Sequence, residues 1–103
     1  MNTCKICDRD VKSDFFNTDY GICLSCATIL ESKVKSLQEV LPSYQEKANS
    51  ADNANDKILY LKLMLDELYE YKIRYYDNDV DVLEQDIEDL IDTVIDCIAD
   101  ART

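Results

Sequence analysis

The chain has 103 residues, 22 Asp and Glu against 11 Lys and Arg, and no histidine, for a net charge of −11. The length bounds it to one domain, or to a small module joined to one helical element. The charge argues against a general nucleic-acid binder and against docking on anionic membranes, and the missing histidine removes every histidine triad or histidine metal ligand.

At 47% hydrophobic residues the chain is too apolar for a disordered acidic tail, and a single Gly and a single Pro favour helices over a turn-rich β fold. Met-Asn-Thr-Cys-Lys-Ile-Cys at the N-terminus lacks the basic-then-apolar pattern of a signal peptide. No apolar run approaches the roughly 20 residues that span a bilayer. A cytoplasmic location is expected, where the five cysteines are reduced or metal-bound. The acidity is uneven. Residues 1–41 carry five bases and six acids, residues 42–76 the same, and residues 77–103 carry ten acids with only Arg102.

The first chemical signal is Cys4-x2-Cys7 followed by Cys23-x2-Cys26. Two such pairs at this separation point to one zinc ion, each pair supplying two thiolates. Four sulfurs leave no open position for water, so the site is structural rather than catalytic. Lys5, Arg9 and Lys12 stand close in sequence to offset its charge. An iron site and a redox dithiol are the competing uses, but zinc satisfies paired knuckles with no further requirement.

Between the pairs, Val11, Phe15 and Phe16 are apolar and Asn17-Thr18-Asp19 is a turn, which together read as a short hairpin. Gly21 stands just before Cys23, where a tight turn is needed. Ala27, Leu30, Val34, Leu37 and Leu41 then step by three and four, predicting a helix from about 24 that ends near Pro42. Cys26 falls in its first turn.

Knuckle, hairpin and a second cysteine pair entering a helix resemble a treble-clef zinc finger. Residues 1–41 are similar to the four-cysteine fingers that head many short bacterial and phage proteins of unassigned function. Asp8 stands where that pattern often has Gly after the second cysteine. Treble clefs serve DNA binding, protein binding and scaffolding alike, so the resemblance implies a fold and a metal, not a function.

Residues 42–56, rich in Asn, Asp and Ser, read as a polar linker, with Asp56 as the N-cap of the next helix. Residues 57–76 predict that helix, apolar on more than one side and carrying Tyr60, Tyr69, Tyr71, Tyr75 and Tyr76. Tyr69 and Tyr76 are candidate partner contacts, since tyrosine is enriched in binding hot spots, although edge-of-core packing explains them as well.

Asp77-Asn78-Asp79 is a turn. Asp81 with Glu84 fits a capping box, and Val80, Leu83, Ile87, Leu90, Val94, Cys97 and Ala101 form an a/d series for a final helix. Cys97 reads as a small core residue. The expected fold is mainly α: a small zinc module, then an antiparallel hairpin over 57–101, completed as a three-helix bundle or shared between two chains as a dimeric coiled coil.

On that last helix Asp81, Asp86, Glu88, Asp89, Asp92, Asp96 and Asp100 lie opposite the apolar stripe with no base among them. Like charges at i,i+4 cost a few tenths of a kcal/mol each, so about 1–2 kcal/mol in all. A helix running from Asp77 to Asp100 is about 35 Å long, giving one charge per roughly 3.5 Å, near the spacing along one DNA strand.

Three functions compete. The first is a non-enzymatic interaction module, a regulator or adaptor whose hairpin binds a protein partner, one with a basic surface among the options. The second is a phage- or plasmid-encoded inhibitor whose acidic helix mimics nucleic acid. The third and weakest is DNA binding through Lys5, Arg9, Lys12, Lys33 and Lys35. An enzyme is disfavoured, since no motif sets any carboxylate apart.

Overall fold

The computed structural model describes residues 2–102. Two antiparallel pairs of two-residue strands come first: β1 (Asn2–Thr3) with β2 (Asp10–Val11), and β3 (Phe16–Asn17) with β4 (Ile22–Cys23). Three helices follow: α1 (Leu24–Asn49), α2 (Ala54–Arg74) and α3 (Ile87–Arg102).

The apolar stripe of α1 does not stop where expected. Beyond Leu41 it continues through Tyr44 to Ala48, which is buried against the core. Proline inside a helix costs about 3 kcal/mol, through a lost hydrogen bond and a clash with the preceding turn. Here Pro42 lies within the helix, and the two turns after it bring Tyr44 and Ala48 onto the core. The 42–56 linker is therefore reduced to the four residues between Asn49 and Ala54; the polar residues at 43–49 form the outer face of α1.

The start of α2 is also earlier than the sequence suggests. Asn53, not Asp56, is its N-cap: the Asn53 side chain accepts the Asp56 backbone N–H at 2.9 Å. Its amide in turn donates to the Asp56 carboxylate at 3.2 Å, a reciprocal arrangement of the capping-box kind. At its other end a short 3-10 turn (Tyr76–Asn78) and left-handed Asp79 reverse the chain, as the Asp-Asn-Asp run implies.

The largest departure lies in 80–86, which is not helical, so α3 begins at Ile87 rather than near Asp81. Tyr71 accounts for it. Its hydroxyl, buried on α2, donates to Asp81 Oδ1 and accepts the Val82 N–H, both at 3.0 Å. Asp81 also accepts the Leu83 N–H at 3.2 Å, a local bond that competes with helix formation. Asp86 supplies the helix-starting contact instead, accepting the Glu88 N–H at 2.9 Å. Val80, the first member of the a/d series, is buried in this non-helical segment rather than on a helix.

The three helices do not close into a compact bundle. α2 is central and packs on both neighbours, while α1 and α3 hardly touch each other. The molecule measures 54 × 20 × 19 Å with a radius of gyration of 16.5 Å, against about 13 Å for a compact chain of this size. The core runs without a break from Cys4 and Ile22 through Leu30, Leu61 and Tyr71 to Ile98. Antiparallel α1 and α2 are pinned by Lys33, whose amine reaches Glu67 at 2.6 Å and Glu70 at 3.3 Å. Among the described residues, no helix is long and apolar enough to cross a membrane.

Candidate metal centre

The β1–β2 pair wraps the first knuckle. Thr3 pairs with Asp10, and the Thr3 hydroxyl donates to the Asp10 carboxylate at 2.6 Å. Inside it, Cys4 N–H donates to Arg9 C=O at 2.9 Å and Asp8 N–H donates to Cys4 C=O at 3.0 Å. This fold-back requires a left-handed residue after Cys7, and Asp8 takes it with φ of 60°. Asp is among the few side chains that enter that region at modest cost, so the missing glycine leaves the turn intact.

The β3–β4 hairpin delivers the second pair. Gly21 has φ of 72°, donates its N–H to Asn17 C=O at 2.8 Å, and accepts Lys5 N–H at 3.1 Å. A Cβ there would sit 2.8 Å from Lys5 Cε. The Lys5 side chain is flexible and could yield, so it is the left-handed conformation that calls for glycine here. Cys23 ends β4 and caps α1 with no side-chain cap bond, which leaves its sulfur free for the cluster; Cys26 follows in the first turn. The positive end of the α1 dipole therefore faces the sulfurs and favours their thiolate forms.

All four sulfurs lie within 4.8 Å of one another, and Cys7 and Cys23 are 3.8 Å apart. A tetrahedral ion with metal–sulfur bonds of about 2.3 Å separates its sulfurs by about 3.8 Å, so the donor set fits a closed four-thiolate site. Three of the cysteines are buried and Cys7 is half-buried. Among the described residues this is the only Cys, Asp and Glu cluster arranged to hold a metal.

Cys4, Cys7 and Cys26 are shifted in different directions. Hydrogen bonds from the Arg9 side chain and then its backbone N–H hold Cys7 down at about 6. Burial opposes ionisation of Cys4, but the N–H groups of Cys7, Cys23 and Ile6 outweigh it and lower its pKa. Burial, followed by the neighbouring sulfurs, pushes Cys26 up. Crowded acids separate in this way because they cannot all ionise together; a cation removes the conflict and releases protons as it binds. Arg9 is the base that offsets the site, as its position beside the knuckle implies.

The other candidate residues do not form one surface. Asp81 is bound to Tyr71 and Leu83, and Asp86 caps α3, so both are structural. Glu88, Asp89, Asp92, Asp96 and Asp100 lie exposed on α3. That helix has 16 residues, about 24 Å, so five acids give one charge per roughly 5 Å. The continuous 35 Å acidic rod does not exist, and with it goes the match to the charge spacing of a DNA strand. Of the i,i+4 like-charge pairs in this stretch, Asp77–Asp81 and Glu84–Glu88 fall off the helix, which leaves Glu88–Asp92, Asp92–Asp96 and Asp96–Asp100. Tyr69 is exposed, whereas Tyr76 is half-buried; the charge of Glu88, then its hydrogen bond, raises the Tyr76 pKa. Lys33, counted among the DNA-contacting bases, is committed to α2. Cys97 is half-buried against the core.

Sequence reasoning missed Tyr71 as the organiser of residues 81–83. Its only sequence signal is the coincidence of an interior tyrosine with an Asp ten positions later. No family model matches the chain, and no curated protein and no solved structure matches it either.

Proposed function

We propose that the chain is a non-enzymatic interaction module, a regulator or adaptor that engages a protein partner through its helical body and is stapled at one end by zinc in a treble-clef finger. The treble-clef reading rests on the order of knuckle, hairpin and cysteine-led helix. The zinc reading rests on four thiolates in a tetrahedral set, a combination suited to that ion and closed to substrate.

The observation that carries the functional reading is the open helical packing. A compact bundle would cover its apolar flanks, yet Ile73 is 64% exposed, Ile95 41% and Tyr69 37%. Tyr69 and Ile73 are one turn apart on the same face of α2. Apolar area of this kind on a rigid, elongated frame suits docking better than catalysis. The charge-spacing argument for nucleic-acid mimicry does not carry over to the shortened α3.

Capture from the native host with the metal-loaded chain, followed by crosslink mapping, tests the reading. A saturable protein partner crosslinked to residues 24–102 is expected. Crosslinks confined to residues 2–23, salt-resistant binding of DNA or RNA, or no saturable partner would overturn it.

A further inference from the structure

We propose that the trough between α1 and residues 82–90 is a docking site for a basic amphipathic helix of a protein partner. This rests on the interaction-module reading and gives that reading a location and a partner chemistry.

The trough exists because α1 and α3 share α2 and hardly touch each other. Val34 and Gln38 on α1 and Val82 on the non-helical segment border both of two adjoining recesses. One, of about 490 Å³, is bordered by Tyr20, Leu30 and Lys35. The other, of about 480 Å³, is bordered by Leu37, Leu41, Pro42, Leu83 and Leu90. From Leu30 to Pro42 the wall on α1 extends about 18 Å, three helical turns. A partner helix of that length presents apolar side chains at i, i+4 and i+7, enough to enter both recesses.

The wall is preformed. The Tyr71 hydroxyl clasps Asp81 and Val82, so the non-helical segment is held at its place beside α1. Val34, Leu41, Val82, Leu83 and Leu90 are all half-buried, leaving apolar carbon at the trough floor in contact with water. Cys97, one heptad after Leu90, continues this half-buried flank along α3.

Charge selects the occupant. Glu31 on α1 and Glu84 on the facing segment line the recesses and are exposed, Asp86 and Asp89 follow Glu84 in the chain and are exposed too, and Lys35 is the base among the lining residues. Among the described residues, no salt bridge reaches any of those four carboxylates. A second copy of the chain would bring a net charge of −11 to an acidic rim, and nucleic acid would bring the same sign. A helix with leucine-like anchors and a Lys or Arg border meets both the apolar floor and the acidic rim, its long side chains reaching from one to the other.

The probe is a synthetic peptide of about 14 residues with Leu at i, i+4, i+7 and i+11 and Lys on the remaining face. It is titrated into the isotopically labelled, metal-loaded full chain at roughly 50 mM salt. Two controls accompany it: the same composition in scrambled order, and a version with Glu for Lys. Amide and methyl shifts are expected to concentrate at Val34, Leu41, Val82, Leu83 and Leu90, with the scrambled and acidic peptides at least about tenfold weaker. The double variant Glu31→Lys, Glu84→Lys alters exposed lining positions only; it should weaken binding about five- to tenfold with its unbound spectrum otherwise preserved.

The proposal falls if the scrambled peptide binds as well as the amphipathic one. It falls equally if shifts gather on the outer acids Asp92 and Asp96 or at Tyr69 and Ile73, if no saturable binding occurs, or if the trough is covered by self-association in sedimentation. Failure of the peptide while a host partner still crosslinks to the helices overturns the trough alone. Absence of any crosslinked partner overturns the interaction-module reading itself.

Discussion

The two ends of this molecule are held by different physics. Within residues 2–23 only Cys4, Ile22 and Cys23 are buried, and the strands are two residues long. So small a module cannot offset its chain entropy by apolar burial, and a metal ion held by its four convergent sulfurs would supply what is missing. The helical body instead buries Leu61, Leu68, Tyr71, Tyr75, Ile87 and Ile98 along two antiparallel seams. It tolerates features that the metal end could not, among them an internal proline and a run of like charges on α3. Local rules are binding where the core is thin and negotiable where it is thick.

Removing the metal should break that comparison most severely. Structural zinc in such modules contributes on the order of 10 kcal/mol. We expect one zinc per chain by native mass spectrometry. After chelation, or in Cys26→Ser, hydrogen exchange should rise by orders of magnitude over residues 2–23 and the start of α1. Protection along the α2–α3 seam should persist. Equal loss of protection along the whole chain would show that the two ends are not separately held.

The clasp at Tyr71 gives the next largest effect. Tyr71→Phe leaves the Val82 N–H and the Asp81 carboxylate without their partner and should cost about 1–3 kcal/mol in a denaturant titration. Burial, countered in part by the Val82 N–H, raises the Tyr71 phenol to about 12. The folded state therefore prefers the neutral phenol. Its contribution is full below pH 10 and is lost as pH climbs from about 10 to about 12, amounting to about 2 kcal/mol. Stability that falls as steeply over that interval in Tyr71→Phe as in the parent chain would contradict the assignment.

Pro42→Ala sharpens the contrast from the other side. If tertiary burial overrides the proline, replacing it should stabilise the chain by about 1–3 kcal/mol and raise the melting temperature. An unchanged or lower melting temperature would mean that α1 gains something from the proline.

The smallest effect belongs to α3. Asp96→Lys turns two repulsive i,i+4 pairs, with Asp92 and Asp100, into attractive ones and places a cation near the helix C-terminus. A gain of about 1 kcal/mol is expected at low salt, fading as ionic strength rises. A gain independent of salt would point to packing rather than charge.

Much of the metal site was legible in the residues themselves. Cysteine spacing identified Cys4, Cys7, Cys23 and Cys26, the single glycine marked the tight turn at Gly21, and Ala27 to Leu41 announced the helix that follows. Such signals are local, because ligand spacing and positive φ are imposed within a few residues. The helix ends resisted reading. Pro42 is a stop signal in isolation, and only the burial of Ala48 after it shows that the helix proceeds. Asp81 with Glu84 is a start signal in isolation, and only the hydroxyl of Tyr71 shows that Asp81 is already engaged.

The sequence by itself determined the four-cysteine site, the helical class and the concentration of charge after residue 77, since each depends on residue type and near spacing. Only the tertiary structure decided where α1 ends and α3 begins, and that α1 and α3 stand apart. Those outcomes depend on partners distant in the chain, whose burial and hydrogen bonds can exceed a local preference of one to three kcal/mol, roughly the scale of a cap or a proline.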